Sequence, residues 1–173
     1  MKYANIKYYD VANGPGVRTS LFVSGCTHRC EGCFNEIAWD FDYGREFTEE
    51  TIAEIVDSLR EDYIVGITLL GGEPMEKVNQ VELIKLLREL KKIHPGKTVW
   101  CYTGYTYDED FKQGARAYTE VSDEFLNLVD VLVDGKFIIS LMDIRLKFRG
   151  SSNQRIIDMD QTRKNNEITL WEG

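Results

Sequence analysis

The chain has 173 residues and a formal net charge of −8, from 21 basic and 29 acidic side chains. That length suits one domain spanning residues 1–173 and leaves little room for a second, and the acidic balance argues against a general nucleic-acid binder. Hydrophobic residues make up 43% and charged residues 29%, as in a soluble protein with a real core. No apolar run reaches the roughly 18 residues of a membrane span. Met1-Lys2-Tyr3-Ala4-Asn5 leads into no signal-peptide core, so the expected location is the cytosol, with no membrane and no nucleic acid as partner.

In chain order, residues 17–23 read as a first strand. Three of the four cysteines follow within eight residues, in Gly25-Cys26-Thr27-His28-Arg29-Cys30-Glu31-Gly32-Cys33-Phe34-Asn35. In a cytosolic chain such a cluster reads as metal-binding or redox-active before it reads as disulfides. A helix is expected over residues 49–59 with Thr48 as N-cap, and a strand over 65–70 leading into Gly71-Gly72-Glu73-Pro74. In the next pattern, residues 78–92, Val81, Ile84, Leu87 and Leu90 recur at helical spacing before the stop signal Pro95-Gly96. A strand over 98–102, a helix over 123–128 and a strand over 129–133 complete the pattern.

Strands alternating with helices imply an α/β fold with a mostly parallel sheet. A closed eight-stranded barrel needs about 250 residues, so an open, partial (β/α) barrel is expected. In such sheets ligands collect at the C-terminal strand ends. The cysteine loop, Gly71 to Pro74, Thr103-Gly104-Tyr105 and Asp134-Gly135-Lys136 each follow an expected strand, so all four should face one edge.

Three thiolates in one loop can wrap a four-iron cluster and leave one iron open to substrate, since such clusters normally take four thiolates. The competing reading is a zinc-stabilised binding module without catalysis, with His28 or Cys101 as the fourth ligand. His28 lies close to Cys26 for a joint tetrahedral site, and Cys101 falls in an apolar strand pattern, where free cysteine acts as a small core residue. Gly71 to Pro74 reads either as a tight turn opening a helix or as backbone allowing close approach of a ligand, with exposed carbonyls and the Glu73 carboxylate able to accept from an ammonium group. Asp134 and Lys136, two apart at a strand end, would share a face; the alternative is a turn with a solvated lysine. Arg149 to Arg155 is polar and compact, suited to a ribose, to a partner backbone, or to a plain surface loop.

Gly14-Pro15-Gly16-Val17-Arg18, then Phe22, Gly25-Cys26, Cys30, Cys33 and Asn35 together resemble the signature of the glycyl-radical-activating enzymes of the radical S-adenosylmethionine (SAM) superfamily. The resemblance implies one 4Fe-4S cluster on Cys26, Cys30 and Cys33 that cleaves SAM reductively to a 5′-deoxyadenosyl radical. It further implies SAM contacts from Gly71, Gly72, Glu73 and Pro74 to the amine, and a pairing of Lys136 with the methionine carboxylate, a group that Asp134 would orient. Many members place an aromatic just before the third cysteine, beside adenine. Here Gly32 stands there and Phe34 follows, so Phe34 either takes the stacking role or is core. Arg18 supports the cluster electrostatically or pairs with a carboxylate.

The Gly-Cys-Phe-Asn loop ending, Val133 to Phe137 and Arg149 to Gln154 resemble the activases of anaerobic (class III) ribonucleotide reductase, over residues 8–155. That resemblance implies hydrogen abstraction from a glycine of the reductase large subunit, with a flavodoxin or ferredoxin as electron donor. Activation of pyruvate formate-lyase and small-molecule radical SAM chemistry are the neighbouring alternatives. No role is read for Cys101 or for the tail, residues 156–173.

Overall fold

The computed structural model describes residues 1–173. Its strands are β1 (Lys2–Asp10), β2 (Val17–Val23), β3 (Arg45–Glu46), β4 (Ile64–Gly71), β5 (Thr98–Tyr102), β6 (Val131–Asp134) and β7 (Arg155–Asp158). Its helices are α1 (Glu49–Ser58), α2 (Lys77–Ile93), α3 (Tyr107–Asp110), α4 (Ser122–Leu128) and α5 (Met159–Asn165). One seven-stranded sheet runs in the order β3-β1-β2-β4-β5-β6-β7, open at both edges. The expected parallel arrangement holds at the centre: β2, β4, β5 and β6 are parallel neighbours. It does not extend to the margins, because β1 pairs antiparallel with β2 and β3, and β7 antiparallel with β6.

Helix expectations hold closely. Thr48 caps α1 through a reciprocal pair, its hydroxyl accepting from the Thr51 N–H and its own N–H donating to the Thr51 hydroxyl, each at 3.3 Å. The α2 helix stops at Ile93, just ahead of Pro95-Gly96. Helices α1, α2 and α4 bury Ile52, Ile55, Leu83, Leu87, Leu90 and Phe125 against Leu21, Val23, Ile67, Leu69, Val99 and Cys101 of the strands. Cys101 is thus a core residue.

The other sheet face is polar. On it Arg18, nearly fully buried, donates to Thr68 Oγ1 (2.8 Å), Ile67 O (2.8 Å) and Thr98 O (3.0 Å), stitching β2 to β4 and β5. Arg18 pairs with no carboxylate. It lies five residues before the end of β2, roughly 16 Å from the cysteine loop at strand rise, so it is a structural brace rather than a support for a cluster. Nearby, Ser20 and Asn13 donate to Asp10 Oδ2 at 2.7 and 2.6 Å. The tail closes the same face: Trp171 N donates to Ile156 O (2.9 Å), and its ring packs edge-on to Trp100 with centroids 5.2 Å apart.

Five elements went unforeseen: β1, the two-residue β3, the single-turn α3, β7 and α5. β1 is rich in lysine and tyrosine and alternates weakly, but Asn13-Gly14-Pro15-Gly16 between it and β2 is a hairpin signal. β7 has four residues, and α5 depends on β7 and the tail, so neither shows a period of its own.

Candidate functional site

Because β2, β4, β5 and β6 are parallel, their C-terminal ends share one edge, where a cavity of about 970 Å³ opens. Cys26, Cys30 and Cys33 line it after β2, Gly71 to Pro74 after β4, Thr103 and Gly104 after β5, and Gly135 and Phe137 after β6. Arg149, Gly150 and Gln154 supply a further wall. Four separate stretches of sequence therefore meet as expected from strand direction alone.

The cysteine loop is held by backbone. Gly25 N donates to Ala38 O (2.8 Å) and Cys26 N to Trp39 O (3.2 Å), both from the short 3-10 turn Glu36–Trp39. Glu73 N donates to Gly25 O (2.9 Å), and Gly72 N to Val23 O (2.8 Å). A Cβ on Gly72 would lie 2.6 Å from Gly25 O and 2.7 Å from Ala38 O, so this position needs glycine for the β4 loop to reach the cysteine loop.

The Glu73 carboxylate is buried and carries three hydrogen bonds. It accepts from Met75 N (2.8 Å), Gly104 N (2.7 Å) and the His28 ring Nε2–H (3.0 Å). Sequence reading aimed this group at a ligand ammonium; the structure turns it inward as the tie between three loops. His28, read from the sequence only as a candidate fourth ligand of a zinc site, is the partner that sequence reasoning missed. Its side chain is 6% exposed and packs edge-on to Tyr105 at 4.4 Å between centroids. No local signal marks that pair, because 45 residues separate its members.

Asp134 is also spoken for. Its carboxylate takes the Arg155 guanidinium at 2.9 and 2.5 Å and the Tyr107 N–H at 2.8 Å. Hydrogen bonds to the Asp134 carboxylate and, less strongly, to Asp108 raise the Arg155 guanidinium above its ordinary value. Gly135 has φ +99°, so the strand ends at Asp134 and the two-residue period does not carry to Lys136. Lys136 is exposed and lines a smaller adjoining cavity of about 500 Å³ with Thr27, His28 and Arg116. Residues 149–154 prove to be the clamp on this loop: Gln154 Nε2 donates to Gly135 O (3.0 Å) and Asn153 Nδ2 to Lys136 O (2.8 Å). Phe34 is 80% exposed, hence not core, and its ring sits 5.6 Å from that of Phe137.

The three thiols line one cavity, yet no three His, Cys, Asp or Glu side chains converge closely enough to hold a single ion. A multi-iron cluster would spread its thiolates over several metal atoms rather than gather them on one. Of the fourth ligands open to the zinc alternative, Cys101 lies in the core, and His28 has Nε2 on Glu73, which leaves only Nδ1 for a metal. Burial pushes the Cys26 thiol up to about 12, with the Glu73 carboxylate adding to the effect. Burial raises Cys30 too, while the Lys136 charge pulls it back. A thiolate at either position would need a nearby positive charge, such as that of a bound metal. The Trp39 indole N–H is buried without a partner beside the loop, on a residue that lines the cavity. That leaves a donor available to an acceptor-bearing group.

Comparison with known proteins decides the family. Residues 12–157 match the family described as a 4Fe-4S single cluster domain. Anaerobic ribonucleoside-triphosphate reductase-activating proteins align over nearly the whole chain. The protein from Enterobacteria phage T4 is 42% identical over 90% of this chain and 93% of its own length. Those from Salmonella typhi and Escherichia coli K12 are 40% and 39% identical, each over 89% of this chain and 96% of their own. The chain belongs to the family of anaerobic ribonucleoside-triphosphate reductase-activating proteins. Membership of this activating-protein family brings with it an iron–sulfur cofactor. No helix of the chain is long and apolar enough to cross a membrane.

Proposed function

We propose that the chain activates an anaerobic ribonucleotide reductase by reductive cleavage of SAM, with Cys26, Cys30 and Cys33 as the three protein ligands of one 4Fe-4S cluster. The observation that carries this reading is the meeting of all three thiols with the loops of the other three parallel strands around one cavity. When bound, the cluster supplies the electron that breaks the sulfonium C–S bond, so that the resulting 5′-deoxyadenosyl radical takes hydrogen from a glycine Cα of the reductase. A flavodoxin or ferredoxin as electron donor belongs to the same proposal, as does the description of the open sheet as a partial barrel.

The protein's own part is ligation, orientation and exclusion of water. With the Glu73 carboxylate occupied internally, Gly71 to Pro74 would meet the SAM ammonium through backbone carbonyls. Lys136, the free cation beside Cys30, is suited to the methionine carboxylate. Asp134 would serve indirectly, bracing the end of β6 through Arg155. The exposed Phe34–Phe137 pair offers an apolar face to adenine.

The test is anaerobic incubation with SAM, a reductant and the reductase, read by electron paramagnetic resonance. A glycyl-radical doublet is expected. A silent spectrum from protein whose cluster is intact would refute the reading.

A further inference from the structure

The excursion between β6 and β7 differs from the rest of the surface. Residues 136–149 hold four cations (Lys136, Arg145, Lys147, Arg149) against one carboxylate (Asp143), a net +3 in a chain of −8. Ile138, Ile139, Leu141, Met142 and Ile144 are exposed within seven residues, Ile144 to 93%. This stretch is ordered: Asp143 N donates to Gly150 O (3.2 Å), Ser152 N to Leu141 O (2.9 Å) and Ile138 N to Ser151 Oγ (3.2 Å). An ordered cluster of exposed aliphatic side chains signals an interaction surface.

The cluster is continuous with the site. Ile139 abuts the cysteine loop so closely that a Cβ on Gly32 would lie 2.3 Å from its Cδ1. Phe34 and Phe137 extend the apolar strip, and Phe137, Leu146 and Phe148 pass into the cavity wall.

We propose that residues 138–144, with Phe34, form the docking surface for the glycine-bearing region of the protein substrate. This rests on the proposed activation of a reductase, whose glycine Cα must reach the cavity beside this strip. The strip fits an apolar segment flanked by carboxylates, because its cations would steer and hold that charge. The same charge disfavours a two-fold contact between copies of this chain, in which Arg145 and Lys147 would face their own counterparts.

The test uses the full-length, cluster-loaded protein in two variants, Met142→Asp/Ile144→Asp and Arg145→Glu/Lys147→Glu. These side chains are exposed and outside the cavity, and the pair that Arg145 makes with Asp143 (3.0 and 2.8 Å) is a solvent-screened surface pair, so both variants should keep the unsubstituted thermal midpoint and the unsubstituted rate of 5′-deoxyadenosine release without reductase. The dissociation constant for the anaerobic reductase should weaken at least about tenfold. Glycyl-radical yield should fall at low reductase concentration and recover at high concentration. Unchanged affinity for the reductase in both variants would overturn the proposal. So would a loss of self-association by sedimentation with reductase affinity unchanged, which would assign the strip to a second copy. Failure of the unsubstituted chain to release 5′-deoxyadenosine would refute the radical chemistry alone, because affinity is read in a separate assay.

Discussion

The two faces of the central sheet are built from alternating residues of the same strands, and they differ in kind. On one face Leu21, Val23, Ile67, Leu69, Val99 and Cys101 are sealed under three helices. On the other, Arg18, Ser20, Thr68 and Trp100 form a buried polar and aromatic layer, with Phe22, Leu70 and Tyr102 lining the cavity. The first face needs only apolar volume. The second also needs donors matched to acceptors, because a buried polar group left unpaired costs about 1–3 kcal/mol; in this layer the Trp100 indole N–H goes without one. Stability thus resides mainly behind the sheet, and the chemistry in front of it and at its C-terminal edge.

Substitutions can break that division. The largest effect expected is from Cys30→Ala. Removing one of three thiolates should abolish cluster retention, SAM cleavage and radical formation, checked by iron content and deoxyadenosine release, while the far-ultraviolet circular dichroism stays unchanged. On the helix side, Leu87→Ala should destabilise by about 2–5 kcal/mol in denaturant titration, through lost burial and a cavity. Cluster-dependent activity per folded molecule should not move.

His28→Ala tests the tie at the edge. It leaves the buried Glu73 carboxylate one donor short, a loss of about 1.5–3 kcal/mol for a hydrogen bond to a charged group. If the tie positions the cysteine loop, SAM cleavage should fall as well, and His28→Gln should recover part of it. Equal loss in both variants would mean that the ring's packing on Tyr105 matters more than its N–H.

The smallest effect is in the polar layer. Burial alone would raise the Asp10 carboxyl, but donors from Ser20, Asn13, the Ala12 N–H and Lys7 outweigh it and hold the group at about 2. A depressed folded-state value means stabilisation that is complete above the unfolded value near 4 and lost as pH falls towards 2. The contribution is roughly 2 kcal/mol. Asp10→Asn should lower stability at neutral pH by about that much and flatten the acid limb between about pH 4 and 2, as read from thermal midpoints.

Much of this was legible in the sequence, for identifiable reasons. β4 and β5 are short, largely apolar runs bounded by turn residues, α1 carries a cap, and α2 carries a helical period and a stop. The cysteine spacing is local, so the loop announced itself. The parallel order of β2, β4, β5 and β6 then required that the four following loops share an edge. Glu73, Asp134 and Arg18 were singled out correctly as unusual, yet their partners could not be read. Glu73 meets His28 across 45 residues, Asp134 meets Arg155 across 21, and Arg18 meets Thr98 across 80.

What the sequence by itself determined is the α/β class, the parallel centre and the thiol loop, because each follows from spacing within a few residues or from the direction of consecutive strands. Only the tertiary structure decided which charged groups are free to meet a ligand. Glu73 and Asp134 are consumed by internal donors, Lys136 is left free, and Phe34 stands exposed beside Phe137. Those outcomes depend on which distant backbone N–H or guanidinium arrives beside each carboxylate. The antiparallel margins and the Trp171 lid were hidden for the same reason: β1, β7 and the tail gain their order from the strands they lie against.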